Sequence, residues 1–472
     1  MLIFFGCLAL LIIGYFTYGT LVDRIFGSDE NRPTPAVTLN DGVDFVEMPT
    51  WKIWLIQLLN IAGLGPIFGP ILGALYGPSA LLWIVIGSIF AGAVHDYFSG
   101  MLSIRYNGVS VPDVVGENLG NFFKQFMRAF SVILLLLVGV VFVLGPAKLL
   151  ANMTSLPVMA LVGIIFGYYF LATLLPIHQI IGRIYPLFGA VLMFMAIGLT
   201  VALLAKGYDL FPEKTLMNVH PKQLPLWPLM FITIACGAVS GFHATQSPLM
   251  ARCLKNEKYG RPVFYGAMIG EGAIALVWAT LGMSFYHGSA ELGAALAQGG
   301  PAYVVNQVST TLLGHFGGIL AIIGVVILPI TSGDTAFRSA RLIIADMLKL
   351  DQRPNMKRLY ISIPLFIVGY LISTSNFDLI WRYFGWANQT LATIVLWTAA
   401  AYLAQNGKPH WIASIPAIFM TAVVTTYLAY EKIGFGLNLN ISTIIGIVVA
   451  VISTAAFFIK FRNASCGCSE TA

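Results

Sequence analysis

The sequence contains very little charge. Asp, Glu, Lys and Arg make up 10% of its 472 residues and 58% are hydrophobic, whereas a soluble domain carries about 25% charged residues. A helix that crosses a bilayer needs roughly 20 mostly apolar residues, and such windows recur along nearly the whole chain. The scarcity of charge therefore excludes a large water-soluble domain and predicts an all-α polytopic membrane protein.

Cysteine is also scarce, with five residues that are too few and too scattered for a disulfide framework. Cys466 and Cys468 form a C-x-C pair near the C-terminus, but two ligands on a short polar tail make a weak metal site. The sequence shows no nucleophile with a base, no metal-ligand cluster and no cofactor signature. We therefore expect neither an enzyme nor a resident cofactor or metal.

The first twenty residues lack a basic n-region and an A-x-A cleavage site, which predicts a retained span rather than a signal peptide. A hydropathy window of about 19 residues predicts about thirteen transmembrane helices in all. They cover residues 2–21, 52–75, 80–104, 126–147, 157–175, 184–205, 227–249, 264–286, 312–336, 359–373, 378–404, 411–429 and 440–459.

Lysine and arginine are distributed unevenly between the two sets of loops that these spans define. One set holds 20 of the 26 basic residues, and the other holds Lys148, Lys206, Lys214, Lys222, Arg382 and Lys432. Because cytoplasmic loops carry the excess of basic residues, the N-terminus is predicted to be periplasmic and the C-terminus cytoplasmic. The same rule explains the net charge of +6 without nucleic acid as a partner.

Two spans are interrupted by small, polar and proline residues. The interruptions lie at 60–70 in span two and at 236–248 in span seven, and proline and glycine oppose a continuous helix. The two spans lie five apart, so they cross the membrane in opposite directions. This pattern predicts a LeuT-like five-plus-five inverted repeat with two broken helices, although close helix packing is an alternative explanation for the glycines.

The repeat predicts the organisation of the chain. The expected units are an extra N-terminal helix at 1–22, a cytoplasmic loop at 23–50, a first repeat at 51–205, a second repeat at 227–404, two C-terminal helices at 411–460 and a cytoplasmic tail at 461–472. The nearly uncharged segment 287–311 is either a helical lid over the outer vestibule or a plain loop.

Four ionisable residues lie inside predicted spans, where each costs several kcal/mol unless it faces a cavity or a partner. They are His95, Asp96, Glu271 and Asp334. His95 follows Gly65 by thirty positions, and Glu271 follows Gly241 by thirty, which places them alike in the two repeats. We predict that the four residues couple transport to protons. The alternatives are an ion pair of Asp334 with Arg338 and ordinary interhelical hydrogen bonds for the others.

Sodium is a second candidate for the coupling ion. The hydroxyl groups of Thr331 and Ser332 could join an unwound carbonyl of span two to hold it.

Residues beside the two breaks are the predicted substrate contacts. Unwound backbone exposes amide groups at the positive ends of half-helices, which favour a carboxylate. We expect the amides of 63–69 and 240–246 to bind it. The predicted substrate-binding residues are Gly63, Gly65, Gly69, Ser240, His243, Gln246, Trp386 and Asn388. An aromatic belt is the competing explanation for Trp386.

Several long motifs give the whole chain a resemblance to a known family. They are DGVDF at 41–45, the run 63–70, VHDYFSG at 94–100, GFHATQSP at 241–248 and PITSGDTAFR at 329–338. With these motifs the sequence resembles the carbon starvation protein A (CstA) family. The resemblance implies an uptake permease for peptides or pyruvate, driven by an ion gradient, within the amino acid, polyamine and organocation superfamily. It also implies a bacterial inner membrane.

The preferred function is a proton-coupled symporter that imports a small carboxylate-bearing nutrient, either pyruvate or short peptides. The alternatives are sodium coupling and a nutrient sensor that uses the transporter fold for binding alone. A channel would need a continuous polar pore, whereas the polar residues cluster at the two breaks. The expected partners are the substrate and the lipid bilayer, and the sequence leaves the oligomeric state open.

Overall fold

The computed structural model describes residues 2–42, 45–174, 177–350, 352 and 354–461, with the backbone alone for 177–186. Val43 and Asp44 of the first family motif, and the Cys466 and Cys468 pair, lie outside these residues. All regular structure in the described chain is helical, as the sequence predicts. The α-helices are α1 (Leu2–Phe16), α2 (Tyr18–Phe26), α3 (Pro35–Thr38), α4 (Thr50–Ile61), α5 (Gly65–Gly73), α6 (Ser79–Gly87), α7 (Ala93–Arg105), α8 (Val111–Leu119), α9 (Asn121–Ala151), α10 (Val158–Leu174), α11 (Ile177–Ala205), α12 (Leu229–Thr233), α13 (Gly241–Ala251), α14 (Gly266–Phe285), α15 (Ser289–Leu348), α16 (Asn355–Ser373), α17 (Phe377–Gln405), α18 (Trp411–Tyr430) and α19 (Leu439–Phe461).

The described chain contains nine helices that are long and apolar enough to cross a membrane, or ten if one bent pair is a single span. Helices also occupy the other predicted spans, at 157–175, 227–249 and 378–404. The protein is therefore a multi-pass membrane protein, while the count of thirteen spans and the direction of the termini stay predictions.

The first predicted interruption is real but shorter than expected. The helix stops at Ile61 and restarts at Gly65, and the two halves are bent by 50°. The expectation that the break extends to Pro70 is wrong, because both prolines are accommodated in α5. Pro66 lies in the first turn of that helix, where its missing N–H group has no helical partner to lose.

The second predicted interruption lies between α12 and α13, at residues 234–240. Gly237 has a φ of +91° there, a conformation that side-chain-bearing residues rarely adopt. The expectation that the unwound backbone continues to Gln246 is wrong, because α13 begins at Gly241 and includes Pro248.

The segment at 287–311, left open between a lid and a loop, is mostly helical. It forms the start of α15, which contains non-helical backbone at Gly299, Gly300 and Gly314. Helix α15 continues beyond Asp334, where the span is predicted to end, as far as Leu348.

Glycines allow the two broken spans to touch. A Cβ atom on Gly65 would overlap the Cys236 side chain, and one on Gly69 would lie 3.0 Å from the Thr233 carbonyl oxygen. Close packing is thus part of the reason for these glycines. Helix α13 also packs against α7 and α17, and α14 packs against α4 and α5. The ends of α4 and α12 and the starts of α5 and α13 therefore meet where the two broken spans cross.

Candidate functional site

A histidine joins two carboxylates at the centre of the helix bundle. Nδ1 of His243, in the first turn of α13, lies 2.9 Å from Oδ2 of Asp96 on α7. Its Nε2 atom lies 3.3 Å from Oε2 of Glu271 on α14, although that approach lacks hydrogen-bond geometry. All three side chains are 0% exposed. Three residues far apart in sequence therefore form one buried chain of ionisable groups.

A second imidazole completes this chain. Nδ1 of His95 lies 2.8 Å from Oδ1 of Asp96, so each oxygen of that carboxylate faces one ring nitrogen. Nε2 of His95 is buried and has no hydrogen-bond partner among the described residues. If Asp96 is ionised, both Nδ1 atoms must carry a proton, because a carboxylate only accepts hydrogen bonds.

The charge of this chain is incomplete without an added proton or cation. Two ionised carboxylates and one protonated imidazole leave one excess negative charge, and burying an uncompensated charge costs several kcal/mol. Neither carboxylate oxygen of Glu271 accepts a hydrogen bond of good geometry from the described residues, although the Gly237 backbone and the His243 ring lie close to it. Protonation of Glu271 would remove the excess negative charge.

The local backbone before each carboxylate is unusual. A π-helical turn at Ser88–Gly92 precedes Asp96, and another at Arg261–Tyr265 precedes Glu271. Such turns are rare and are frequent at functional sites. The first turn also fixes the second break, because the Ser88 hydroxyl donates to the Gly237 carbonyl at 2.9 Å. The carboxylate helix α7 and the unwound segment are thus held together.

The amides of α17 hold the start of α13. Oδ1 of Asn388 accepts a hydrogen bond from the Phe242 N–H at 2.7 Å, and Nδ2 of Asn388 donates to the Ser240 hydroxyl at 3.1 Å. The side chain of Gln389, which is absent from the predicted residues, donates to the Val239 carbonyl at 2.9 Å. Its place beside Asn388 in the sequence is the signal that could have identified it.

Several backbone N–H groups at the starts of α5 and α13 donate no hydrogen bond among the described residues. They include those of Leu64 and Gly65 at the start of α5, and those of Ser240 and Gly241 at the start of α13. Both helices present their positive ends to the middle of the bundle. This set of free donors is narrower than predicted. The N–H group of Gly63 bonds the Ile61 carbonyl, and Gly69 and Gln246 lie inside helices.

Two of the predicted substrate-binding side chains have other neighbours. The indole of Trp386 donates to the Val424 carbonyl of α18 at 3.2 Å, so it faces away from the second break. Nε2 of Gln246 donates to the Thr245 hydroxyl at 2.9 Å, and its Oε1 atom is buried with no partner in the described chain.

The predicted coupling residues of α15 divide into two groups. The Ser332 hydroxyl donates to the Leu59 carbonyl, in the last turn of α4, at 3.1 Å. Thr331 instead bonds the Leu328 carbonyl of its own helix at 2.8 Å. Asp334 forms an ion pair with Arg338 at 3.2 Å, the structural alternative considered from the sequence. Only Ser332 therefore contacts a broken span.

The same centre contains a group of atoms that could hold a metal. The Cys236 sulfur, a ring nitrogen of His243 and a carboxylate oxygen of Glu271 all lie within 4.8 Å of one another. A mixed set of sulfur, nitrogen and oxygen ligands suits a transition metal rather than magnesium or calcium. No sequence spacing predicts this group, because its members meet only where α13 crosses α14.

Comparisons with known proteins agree with this architecture. A family model described as "Carbon starvation protein CstA" matches residues 1–155, 145–289 and 287–428. "Peptide transporter CstA" of Campylobacter jejuni is 27% identical, over 89% of this chain and 78% of the relative. "Pyruvate/proton symporter BtsT" of Escherichia coli is 28% identical, over 56% of this chain and 46% of the relative.

A solved structure supports the fold independently of sequence. The substrate-bound outward-open state of a Na⁺-coupled sialic acid symporter aligns with a TM-score of 0.56 at 13% identity. The alignment covers 99% of this chain and 97% of the symporter. This alignment confirms the predicted LeuT-like fold class. Because the sequence identity is low, the similarity concerns the fold alone.

Proposed function

The chain belongs to the CstA family, and from this premise we propose that it is a proton-coupled symporter that imports a small carboxylate-bearing nutrient, pyruvate or a short peptide. The named relatives are peptide transporters and a pyruvate/proton symporter, which supports transport as the general function. The finer assignment of ion and substrate rests on the site.

The buried chain through His243 is the observation that carries proton coupling. His243 lies on the helix that begins at the second break, and its ring faces one carboxylate from each neighbouring span. A buried carboxylate needs a proton, a cation or a donor. In an alternating-access cycle, α13 would move against α7 and α14. This movement would change whether Glu271 is compensated by a proton, by a cation or by a hydrogen-bond donor. Proton uptake would then depend on the conformation.

The substrate carboxylate would bind one helical turn away from this chain. The free N–H groups at the starts of α5 and α13 are the donors, and the positive ends of both helices attract an anion. Because His243 lies in the first turn of α13, an anion bound there would stabilise a protonated imidazole. Substrate and proton would thus favour each other's binding.

Sodium coupling is the second candidate, and one contact favours it. Ser332 already bonds a carbonyl at the end of α4, so its hydroxyl and that carbonyl oxygen could turn toward a cation. In this alternative, uptake needs sodium whatever pH gradient is imposed.

Uptake by the purified protein in proteoliposomes tests the proposal. We expect labelled pyruvate or dipeptide to accumulate when the outside is acidic, in sodium-free buffer, and to stop when a protonophore collapses the gradient. If accumulation requires sodium and is unchanged by the protonophore, the coupling ion is sodium and not the proton. Binding of the labelled substrate without its exchange across the membrane would indicate a nutrient sensor and not a transporter.

A further inference from the structure

A large cavity lies at one end of the helix bundle, beyond the first break. It has a volume of about 920 Å³, within the range of about 300 to 1,000 Å³ that is usual for ligand sites. Phe68 of α5 and Trp381 of α17 line it, and their ring centres lie 6.0 Å apart. Phe68 follows Gly65 by less than one helical turn. The cavity therefore leads toward the proposed substrate position, and we call it the vestibule.

Charges of both signs gather in the vestibule. Lys148, Lys222 and Arg382 line it, and these are three of the six basic residues predicted on the periplasmic side. Asp378 and Glu431 line it as well. Half of the basic residues predicted on that side thus line one cavity. A role in ligand binding explains this concentration better than solubility alone.

Three of these charges, those of Lys148, Lys222 and Asp378, form no close ion pair in the described part of the chain. Arg382 and Glu431 pair with each other at 3.4 Å. Lys148 forms no ion pair in the described part of the chain, and its ammonium group lies 4.2 Å from the centre of the Phe377 ring. The next residue, Asp378, is exposed in the first turn of α17 and forms no close ion pair among the described residues, although its negative charge acts on Lys148 from a longer distance.

His220, another ionisable residue of the lining, adds no charge at neutral pH. His220 is 5% exposed, and its burial, with a smaller effect of Lys222, lowers the pKa of the imidazole from its usual value. The charges next to Phe377 are then one cation, Lys148, and one anion, Asp378, while Lys222 adds a second, exposed cation elsewhere in the lining.

We propose that the vestibule is a first binding site for a charge-separated solute, one with a carboxylate at one end and an ammonium group at the other. The main chain of a short peptide is an example. The solute carboxylate would meet Lys148, its ammonium group would meet Asp378, and its side chains would lie against Phe68 and Trp381. This inference rests on the proposed transport function and on the predicted orientation. Pyruvate would leave Asp378 without a partner.

Equilibrium binding of labelled dialanine to the full chain in lipid nanodiscs tests the site. We expect Lys148→Gln and Asp378→Asn each to weaken binding about tenfold, equal to about 1.4 kcal/mol. Each variant should also stop distinguishing one modified peptide. Lys148→Gln should bind free and C-amidated dialanine alike, and Asp378→Asn should bind free and N-acetylated dialanine alike. Lys432→Gln is the matched control, since that lysine neighbours Glu431 but does not line the vestibule.

The possible outcomes separate this site from the transport proposal. Wild-type affinity in both charge variants, or wild-type protein that binds the modified peptides as tightly as dialanine, overturns the vestibule site. Proton-driven pyruvate uptake by the same preparation would then leave the transport function standing. Loss of dialanine binding in both variants, with no uptake of any solute by the wild type, would support the site and overturn symport.

Discussion

At the residue scale, His243 lies between two buried carboxylates. Its ring nitrogens face Asp96 and Glu271, and no water reaches any of the three side chains. Removal of one partner from a buried charge pair typically costs about 3–5 kcal/mol, because the other charge is left uncompensated. The histidine therefore has a structural task as well as its proposed role in coupling.

We predict that His243→Leu lowers the melting temperature of the purified protein, and that Glu271→Gln added to it restores part of the loss. The second change removes one of the charges that the leucine leaves unpaired. Thermal unfolding of the two single variants and the double variant measures the effect. Equal melting temperatures for His243→Leu and the double variant would show that Glu271 does not depend on this ring.

Asn388 offers a test of the anion site that spares the packing of the helices. In Asn388→Asp the new carboxylate still accepts the Phe242 N–H, but it places a negative charge at the start of α13. We expect at least a tenfold rise in the KM for a carboxylate substrate, with a similar yield of folded protein. Asn388→Leu, which removes the acceptor of the Phe242 N–H without adding a charge, is the matched control. An unchanged KM in Asn388→Asp would move the substrate carboxylate elsewhere.

At the element scale, the two broken helices show what sequence patterns can and cannot predict. Clusters of small residues and proline indicated both breaks correctly. Their lengths were overestimated because α5 and α13 include the prolines. Pro66 lies in a first turn, where proline loses no helical hydrogen bond, and Pro70 and Pro248 lie inside the helices. The contact of His243 with Asp96 and Glu271 joins three spans, so no pattern within one span predicts it.

The packing of the two breaks yields a further prediction. Gly65→Ala should abolish most uptake, because the added methyl group meets the Cys236 side chain and overpacking costs about 1–3 kcal/mol. Cys236→Gly in the same chain should restore part of the uptake by making room. Gly163→Ala is the control, since a Cβ atom there meets nothing within 4 Å. Full activity of Gly65→Ala would mean that the breaks separate during transport.

At the scale of the whole molecule, the distribution of basic residues is the basis of the predicted orientation. Lys432 and Lys255 lie on opposite sides in that scheme, and both are exposed. In a variant without Cys466 and Cys468, we expect Lys432→Cys to react with a membrane-impermeant maleimide in intact cells. Lys255→Cys should react only after permeabilisation. The reverse pattern would invert the orientation and place the vestibule on the cytoplasmic side.

The fold class could be predicted from the whole sequence because lipid constrains it so strongly. Every backbone group in the bilayer must be bonded internally, so hydropathy alone indicates a helical bundle. The vestibule illustrates the opposite case. Lys148 and Asp378 are more than two hundred residues apart, and only the packing of the ends of α9 and α17 around one cavity brings them together.

Glu271→Gln in proteoliposomes tests whether Glu271 takes up the coupled proton. The measurement compares accumulation of labelled substrate under an inwardly directed proton gradient with exchange of label at equal pH. We predict that the variant loses accumulation but retains exchange, because the helix starts that bind the substrate are unchanged. Glu291→Gln, which changes an exposed carboxylate outside the histidine chain, should retain both. Normal uphill accumulation by Glu271→Gln would show that Glu271 does not carry the coupled proton.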